Sequence, residues 1–437
     1  MEVPIHVARR RPRWGSDPGW PGSAGPFSST IATNEESFMP AFILAIAELF
    51  GTALWFTPNA VLHDLQVLWS LQTADLGWLT GAVQGGFLLG TLAIGLSGLA
   101  DRIDASRLFA ACCLVGALSN ALLPWAGSLW PAVALRVMTG MSLAGIYPVG
   151  MKLMVGWTPG RTGLGLALLV GMLVLGTALP HGLRALSELQ GTGMAWRNGI
   201  LGASGLALLA GILVWRLGEA PDIRTAKSHA PATTASRLIG IQAFHIKDFR
   251  RAASAYFGHM WELYTLWALL PLMLLASMPK LSTTTLALGA FALIAIGGPA
   301  CWLGGWLSQS LGSRRIAQLG LAGSATCCAL YPLLAWLPTP LLIAFLALWS
   351  ALAVVDSPQF SALSAAACPT TIVGSALTLQ NAIGFAVSML SLLVLIPLWQ
   401  WLGAWLAWII LPGPLFGLWC LATHRPLATT SPADTGR

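Results

Sequence analysis

The sequence predicts an all-α polytopic membrane protein, with twelve transmembrane helices in two pseudo-symmetric six-helix bundles. Three observations carry that prediction. Of the 437 residues 56% are hydrophobic and only 9% are charged, whereas soluble domains carry about 25% charged residues. The apolar residues gather into runs long enough to cross a bilayer, which takes about 17 to 25 residues as a helix. The two halves of the chain also repeat the same local punctuation at matching places. Runs of this length satisfy their backbone internally, whereas barrel strands would alternate over about ten residues.

Six runs lie near 39–61, 76–98, 107–126, 130–156, 163–183 and 197–217, and six more near 253–276, 285–308, 315–335, 339–362, 372–396 and 400–421. Between the sets, residues 218–250 are polar and rich in Ala, Thr and charge, which reads as a linker. Residues 1–38 are rich in Pro, Gly and Ser and carry no signal-peptide core, so they are expected to form a disordered tail. Residues 424–437 form a second tail. Met39 stands immediately before the first run and is an alternative start of translation.

The formal charge of +7 is an orientation signal rather than a nucleic-acid patch. Eighteen of the 23 Lys and Arg fall in the tails and in the segments that join them to one face, three (Arg184, Arg197, Lys280) fall on the other, and Arg136 and Lys152 lie within the fourth run. The positive-inside rule then places both termini in the cytoplasm; the expected location is a plasma membrane, the inner membrane in a bacterium. All seven cysteines lie in or at the edges of runs, with neither metal-ligand spacing nor external pairing, and read as packing residues. Trp125, Trp130, Trp336, Trp399 and Trp401 stand near predicted helix ends, as interfacial belts require. No phosphate loop, zinc spacing or nucleophile elbow is present, so no cofactor, no metal and no enzymatic activity are expected.

The repeat is explicit. Glu48 sits in Ala47-Glu48-Leu49-Phe50 and Glu262 in Trp261-Glu262-Leu263-Tyr264, each in the first run of its half. Tyr147-Pro148 with Pro159 corresponds to Ser357-Pro358 with Pro369, the prolines being 11 apart both times. Gly95, Gly98, Leu99, Ala100, Asp101 and Arg102 end the second run, while Gly304, Gly305, Leu307, Gln309, Gly312, Arg314 and Arg315 end the eighth. Such symmetry is typical of secondary transporters, whose substrate site lies near mid-membrane between the repeats.

On these residues the chain, from about 39 to 423, resembles the major facilitator superfamily. Leu99, Asp101 and Arg102 match its loop signature between the second and third helices. Arg136-Val137-Met138-Thr139-Gly140 with Ala144 is similar to its fourth-helix signature without the Gln. The resemblance implies alternating access and a cytoplasmic gate at Asp101 and Arg102, with Gln309, Arg314 and Arg315 as the second copy. Arg161 is the nearest cation by topology and a plausible partner for Asp101. The structural alternative is a solvated turn.

A carboxylate inside hydrocarbon costs about 2.5 to 3.5 kcal/mol even on lenient scales, so it is rarely there without a partner or a task. Glu48, Thr52, Trp55 and Asn59 fall at i, i+4, i+7 and i+11 and share one helix face, while Arg136, Gly140, Ala144 and Tyr147 form a facing stripe. Glu48 is read as the proton-binding carboxylate and Arg136 as its electrostatic counterweight, the alternative being a fixed ion pair. His259 and Glu262, at i and i+3, are read as a joint substrate contact flanked by Tyr264, the alternative being a pair that knits helices together. Asp356 either caps a helix break or faces the cavity.

The expected function is secondary active transport of a small organic solute or anion, coupled to protons, by a monomer in the lipid bilayer. The alternative is a transport-inactive membrane sensor of the same fold.

Overall fold

The computed structural model describes residues 27–159, 161–191, 194–221, 239–369 and 372–422, with side chains described from Met39 onward. The expected tails and most of the linker lie largely outside the described residues. Every regular element described is a helix. The first six spans are α1 (Phe27–Thr52), α2 (Thr73–Ser97), α3 (Ala105–Ala121), α4 (Leu129–Leu143, resuming as Tyr147–Trp157), α5 (Thr162–Leu189) and α6 (Ala195–Leu217).

The last six are α7 (Lys247–Ser277), α8 (Thr283–Ala295 and Gly297–Leu311), α9 (Ser313–Leu334), α10 (Thr339–Leu352 and Ser357–Ala366), α11 (Val373–Leu402) and α12 (Ala407–Ile410 and Pro412–Ala422). Ten stretches are long and apolar enough to cross a membrane; the last of them, Val373–Ala422, holds both α11 and α12, and Met39–Thr52 adds a shorter apolar piece at the end of α1. The count is twelve spans. Below, the face carrying residues 218–221 and 239–246 is called the linker face and the opposite one the far face.

Three spans are broken by the same local rule. After α1 the chain unwinds and restarts as Thr57–Ala60 with Pro58 in its first turn; α4 restarts at Tyr147-Pro148 and α10 at Ser357-Pro358. Proline has no N–H to give a preceding turn but suits the first turn of a new helix. The breaks leave backbone carbonyls without helical partners at mid-membrane, which must be met by side chains.

Within the first six spans α2 lies on α4, α3 on α6, and α1 on α5 and α6; within the last six α7 lies on α11 and α12, and α9 on α12. The two sets meet chiefly through α2 on α11 and α5 on α8. Glycine permits the closest approaches. A Cβ on Gly86 or Gly140 would overlap the backbone of the other helix, at Val137 and Val83 respectively. Gly77 and Gly81 present a second small face of α2 to α11. Trp125, Trp130, Trp336 and Trp401 are exposed at helix ends, as lipid-interface residues should be.

At the far face Arg184 on α5 pairs with Asp64, 3.0 Å away on the short helix Leu62–Trp69, and with Glu188 one turn along. At the linker face Glu219 accepts from the Ala105 backbone N–H at 2.7 Å and ties the end of α6 to the start of α3.

Candidate functional site

Half-way through the bundle a small cavity of about 40 Å³ opens between the two sets of helices. Its walls come from both. Tyr147 on α4 and Val170, Leu173 and Val174 on α5 face Tyr256, His259, Tyr264 and Trp267 on α7, Ser357 and Ser361 on α10, and Asn381 and Phe385 on α11. This is well below the roughly 300 Å³ at which solute pockets usually begin, so the helices are drawn together around the site.

The polar centre of the wall is a three-residue chain. His259 Nδ1 lies 3.0 Å from Asp356 Oδ1, and its Nε2 lies 2.8 Å from the Ser357 hydroxyl. Asp356 and Ser357 sit at the α10 break, whose unwinding brings the acid under the imidazole; the pair is 1% and 2% exposed. The acid therefore sits behind the histidine, and the histidine and serine meet the cavity. Phe360 and Tyr256 lie beside the ring, at 5.2 and 6.2 Å between centroids.

Toward the far face the cavity is roofed by aromatic rings from both sets. Phe87 of α2 stacks on Phe385 of α11 at 4.0 Å, Trp55 stacks on Tyr264 and on Phe385 at 5.6 Å, and Phe56 and Trp267 close the edge. Offset stacks of this kind each contribute about 0.5 to 1.5 kcal/mol beyond their buried area.

Sequence reasoning placed Glu48 beside Arg136, and the structure separates them. Glu48 is fully buried at the level of Gly150, where a Cβ would press on its carboxyl, and neither of its oxygens has a hydrogen-bond donor. Arg136 instead donates to the carbonyls that the α1 break frees, Leu54 at 3.0 Å and Trp55, and to Thr57 and Asn120 at 3.2 Å. Arg136 meets the Leu54 carbonyl, six residues beyond Glu48 and so about 9 Å further along the chain at 1.5 Å per residue. The two residues face the same neighbour at different depths.

His259 and Glu262 likewise part company. Glu262 turns to the other side of α7 and accepts from Ser324, from Trp349 Nε1 at 2.8 Å and from Cys328 Sγ at 3.4 Å. It is a satisfied anchor between α7, α9 and α10. Neither Glu48 nor Glu262 lines the cavity; the acid nearest its wall is Asp356, in contact with the lining residue His259. Thr52 bonds back to the Glu48 carbonyl at 2.7 Å, and Asn59 accepts from Thr80 at 3.1 Å; both lie outside the cavity wall. Tyr147, His259 and Tyr264 are the predicted residues that do line it. The reading missed Trp267, Asn381 and Phe385. A signal existed: Tyr256, Met260, Leu263 and Trp267 recur at helical spacing on α7 and share the cavity face.

A family model described as Major Facilitator Superfamily matches residues 27–392. The chain belongs to the major facilitator superfamily. Two solved structures share its fold: the MFS proton:xylose symporter XylE bound to 6-bromo-6-deoxy-D-glucose, and a partially occluded inward-open conformation of the xylose transporter XylE from E. coli. Each has a TM-score of 0.71 at 12% identity; they cover 89% and 90% of this chain and 95% and 98% of their own. One stretch of 123 residues is 31% identical to the niacin transporter NiaP of Acinetobacter baylyi, spanning 26% of this chain and 28% of that protein. As a superfamily member with twelve apolar spans, the chain is an integral membrane protein.

The residues expected from the resemblance to form a gate stand at the linker face. Gly98 ends α2 in the left-handed region at φ +67°, and Gly312 does the same between α8 and α9 at φ +83°. Asp101 falls in the helical turn Leu99–Arg102, its side chain lying outside the described residues, and Arg102, Arg161, Gln309 and Arg315 are exposed. Arg314 donates to the Leu421 carbonyl near the end of α12, which Gln318 also reaches at 3.3 Å. In the second copy the arginine is thus a helix cap.

Proposed function

We propose that this protein is a proton-coupled secondary transporter of small organic solutes, and that its solutes include planar organic acids. The observation that carries the reading is the Asp356–His259–Ser357 chain on the wall of a cavity shared by both sets of helices. An imidazole held by a carboxylate on one nitrogen can pass a proton or a hydrogen bond to whatever meets the other. Buried ionisable groups that face a water-reachable cavity in a membrane protein mark proton and solute paths.

The aromatic walls favour a flat solute, and the imidazole and hydroxyls offer donors to its acid group. The partial likeness to a niacin transporter agrees with that chemistry. Alternating access follows from rocking about the α2–α11 and α5–α8 contacts. By the positive-inside rule the linker face is cytoplasmic. We assign the proton to the His259–Asp356 pair, and to Arg136 the task of capping the broken α1.

The test is uptake by the full chain in proteoliposomes under an imposed pH gradient, with niacin and benzoate as solutes and xylose as comparator. Niacin or benzoate should accumulate and be released by a protonophore. Acid uptake indifferent to the gradient would refute the coupling, and no uptake of either acid would refute the solute class.

A further inference from the structure

The aromatic roof separates two polar layers, and only one of them belongs to the cavity. On α2, Gln84, Phe87 and Thr91 fall at i, i+3 and i+7; on the antiparallel α11, Asn381, Phe385 and Ser388 fall at i, i+4 and i+7. Each trio therefore shares one helix face. The stacked Phe87 and Phe385 fix the register. Thr91 and Asn381 lie one turn toward the linker face, where Asn381 lines the cavity. Gln84 and Ser388 lie one turn toward the far face, beyond the rings.

That outer layer is fully buried, and its polar atoms have no partner among the described residues. Gln84 and Ser388 are 0% exposed, and neither the amide oxygen, the amide nitrogen nor the serine hydroxyl has a hydrogen-bond partner. The indole N–H groups of Trp55 and Trp267, two members of the roof, are also buried and unmatched. Unmet polar groups are costly in a sealed apolar interior, and each calls for a partner that the closed helices do not supply. Gly77 and Gly81 show that α2 meets α11 on the far-face side of these residues, so parting the two helices there uncovers them.

We infer that Gln84 and Ser388, with the Trp55 indole that packs on both rings, form a second solute station on the far side of the Phe87–Phe385 stack, occupied when that side opens. The site holds an amide NH₂, a hydroxyl and one indole N–H group against one amide oxygen, a donor-rich and uncharged set. It suits the acceptor group of a small solute, a carboxylate or carbonyl, handed on to His259 once the rings part. This inference rests on the proposed transport reading.

Two measurements on the full chain in oriented proteoliposomes test it. In the first, Ser388→Cys and Gln84→Cys variants are exposed to a membrane-impermeant maleimide from the far face, with parent-chain labelling subtracted. Labelling that saturating niacin slows at least fivefold is expected. Absence of far-face labelling in both variants, or labelling that niacin leaves unchanged while it drives uptake in the parent, overturns the station. In the second, Gln84→Leu and Ser388→Ala should raise the KM for niacin entering from the far face at least fivefold and leave the linker-face KM within twofold. Equal changes on both faces, or none on either, would mark a structural role and overturn the inference. The maleimide arm needs no transport assay: failure of the parent chain to take up acids refutes the reading of function, and failure of both cysteines to label refutes the station.

Discussion

His259 Nδ1 lies 3.0 Å from Asp356 Oδ1, across the contact between α7 and the break in α10, with both side chains sealed from bulk water. The imidazole thus connects a buried acid to the cavity wall, and a proton on this pair is felt by anything that touches Ser357. Breaking a buried pair by removing one partner costs about 3 to 5 kcal/mol, because the remaining group is left uncompensated.

Asp356→Asn keeps the shape and removes the charge. Gradient-driven accumulation in proteoliposomes is expected to fall at least tenfold while solute counterflow, which needs no net proton movement, persists. Accumulation at the parent level would remove the pair from coupling.

Glu48→Gln gives the opposite expectation. The carboxyl has neither donor nor cation on it, and an uncompensated buried anion is costly. Thermal unfolding in detergent should shift upward or by less than about 1 kcal/mol, and uptake should still follow the pH gradient. Loss of accumulation with counterflow intact would return the proton role to Glu48.

Arg136→Met strands the Leu54 and Trp55 carbonyls at the α1 break. A loss of about 1 to 3 kcal/mol of stability for each stranded acceptor is expected, read as a lower unfolding temperature. Arg136→Lys should recover only part of it, since a compact ammonium cannot span the acceptors that a planar fork reaches.

Gly86→Ala places a methyl group against the Val137 carbonyl in the α2–α4 contact, whereas Gly163 has open space around its Cα. The first substitution should lower the yield of monodisperse protein in size-exclusion chromatography severalfold, and Gly163→Ala should leave it unchanged. Equal yields would mean that α2 and α4 do not meet so closely.

Much of the architecture was legible because it depends on neighbours in sequence. Twelve spans follow from run length, and the restarts at Tyr147-Pro148 and Ser357-Pro358 follow from proline's missing N–H. Partner choice was not legible. Helical periodicity puts Glu48 and Arg136 on facing stripes but carries no information on depth, and the breaks in α1 and α4 alter the register that a regular helix would give.

The sequence by itself determined a membrane-embedded all-helical chain with an internal repeat, since the bilayer imposes length, hydropathy and backbone satisfaction on each segment separately. Only the tertiary structure decided which buried group meets which. It gave Arg136 to the backbone of α1, Glu262 to a serine and an indole, and Asp356 to His259. Those pairings depend on the rotation and axial offset of helices distant in the chain, and each buried polar group takes whichever partner that packing brings within about 3 Å.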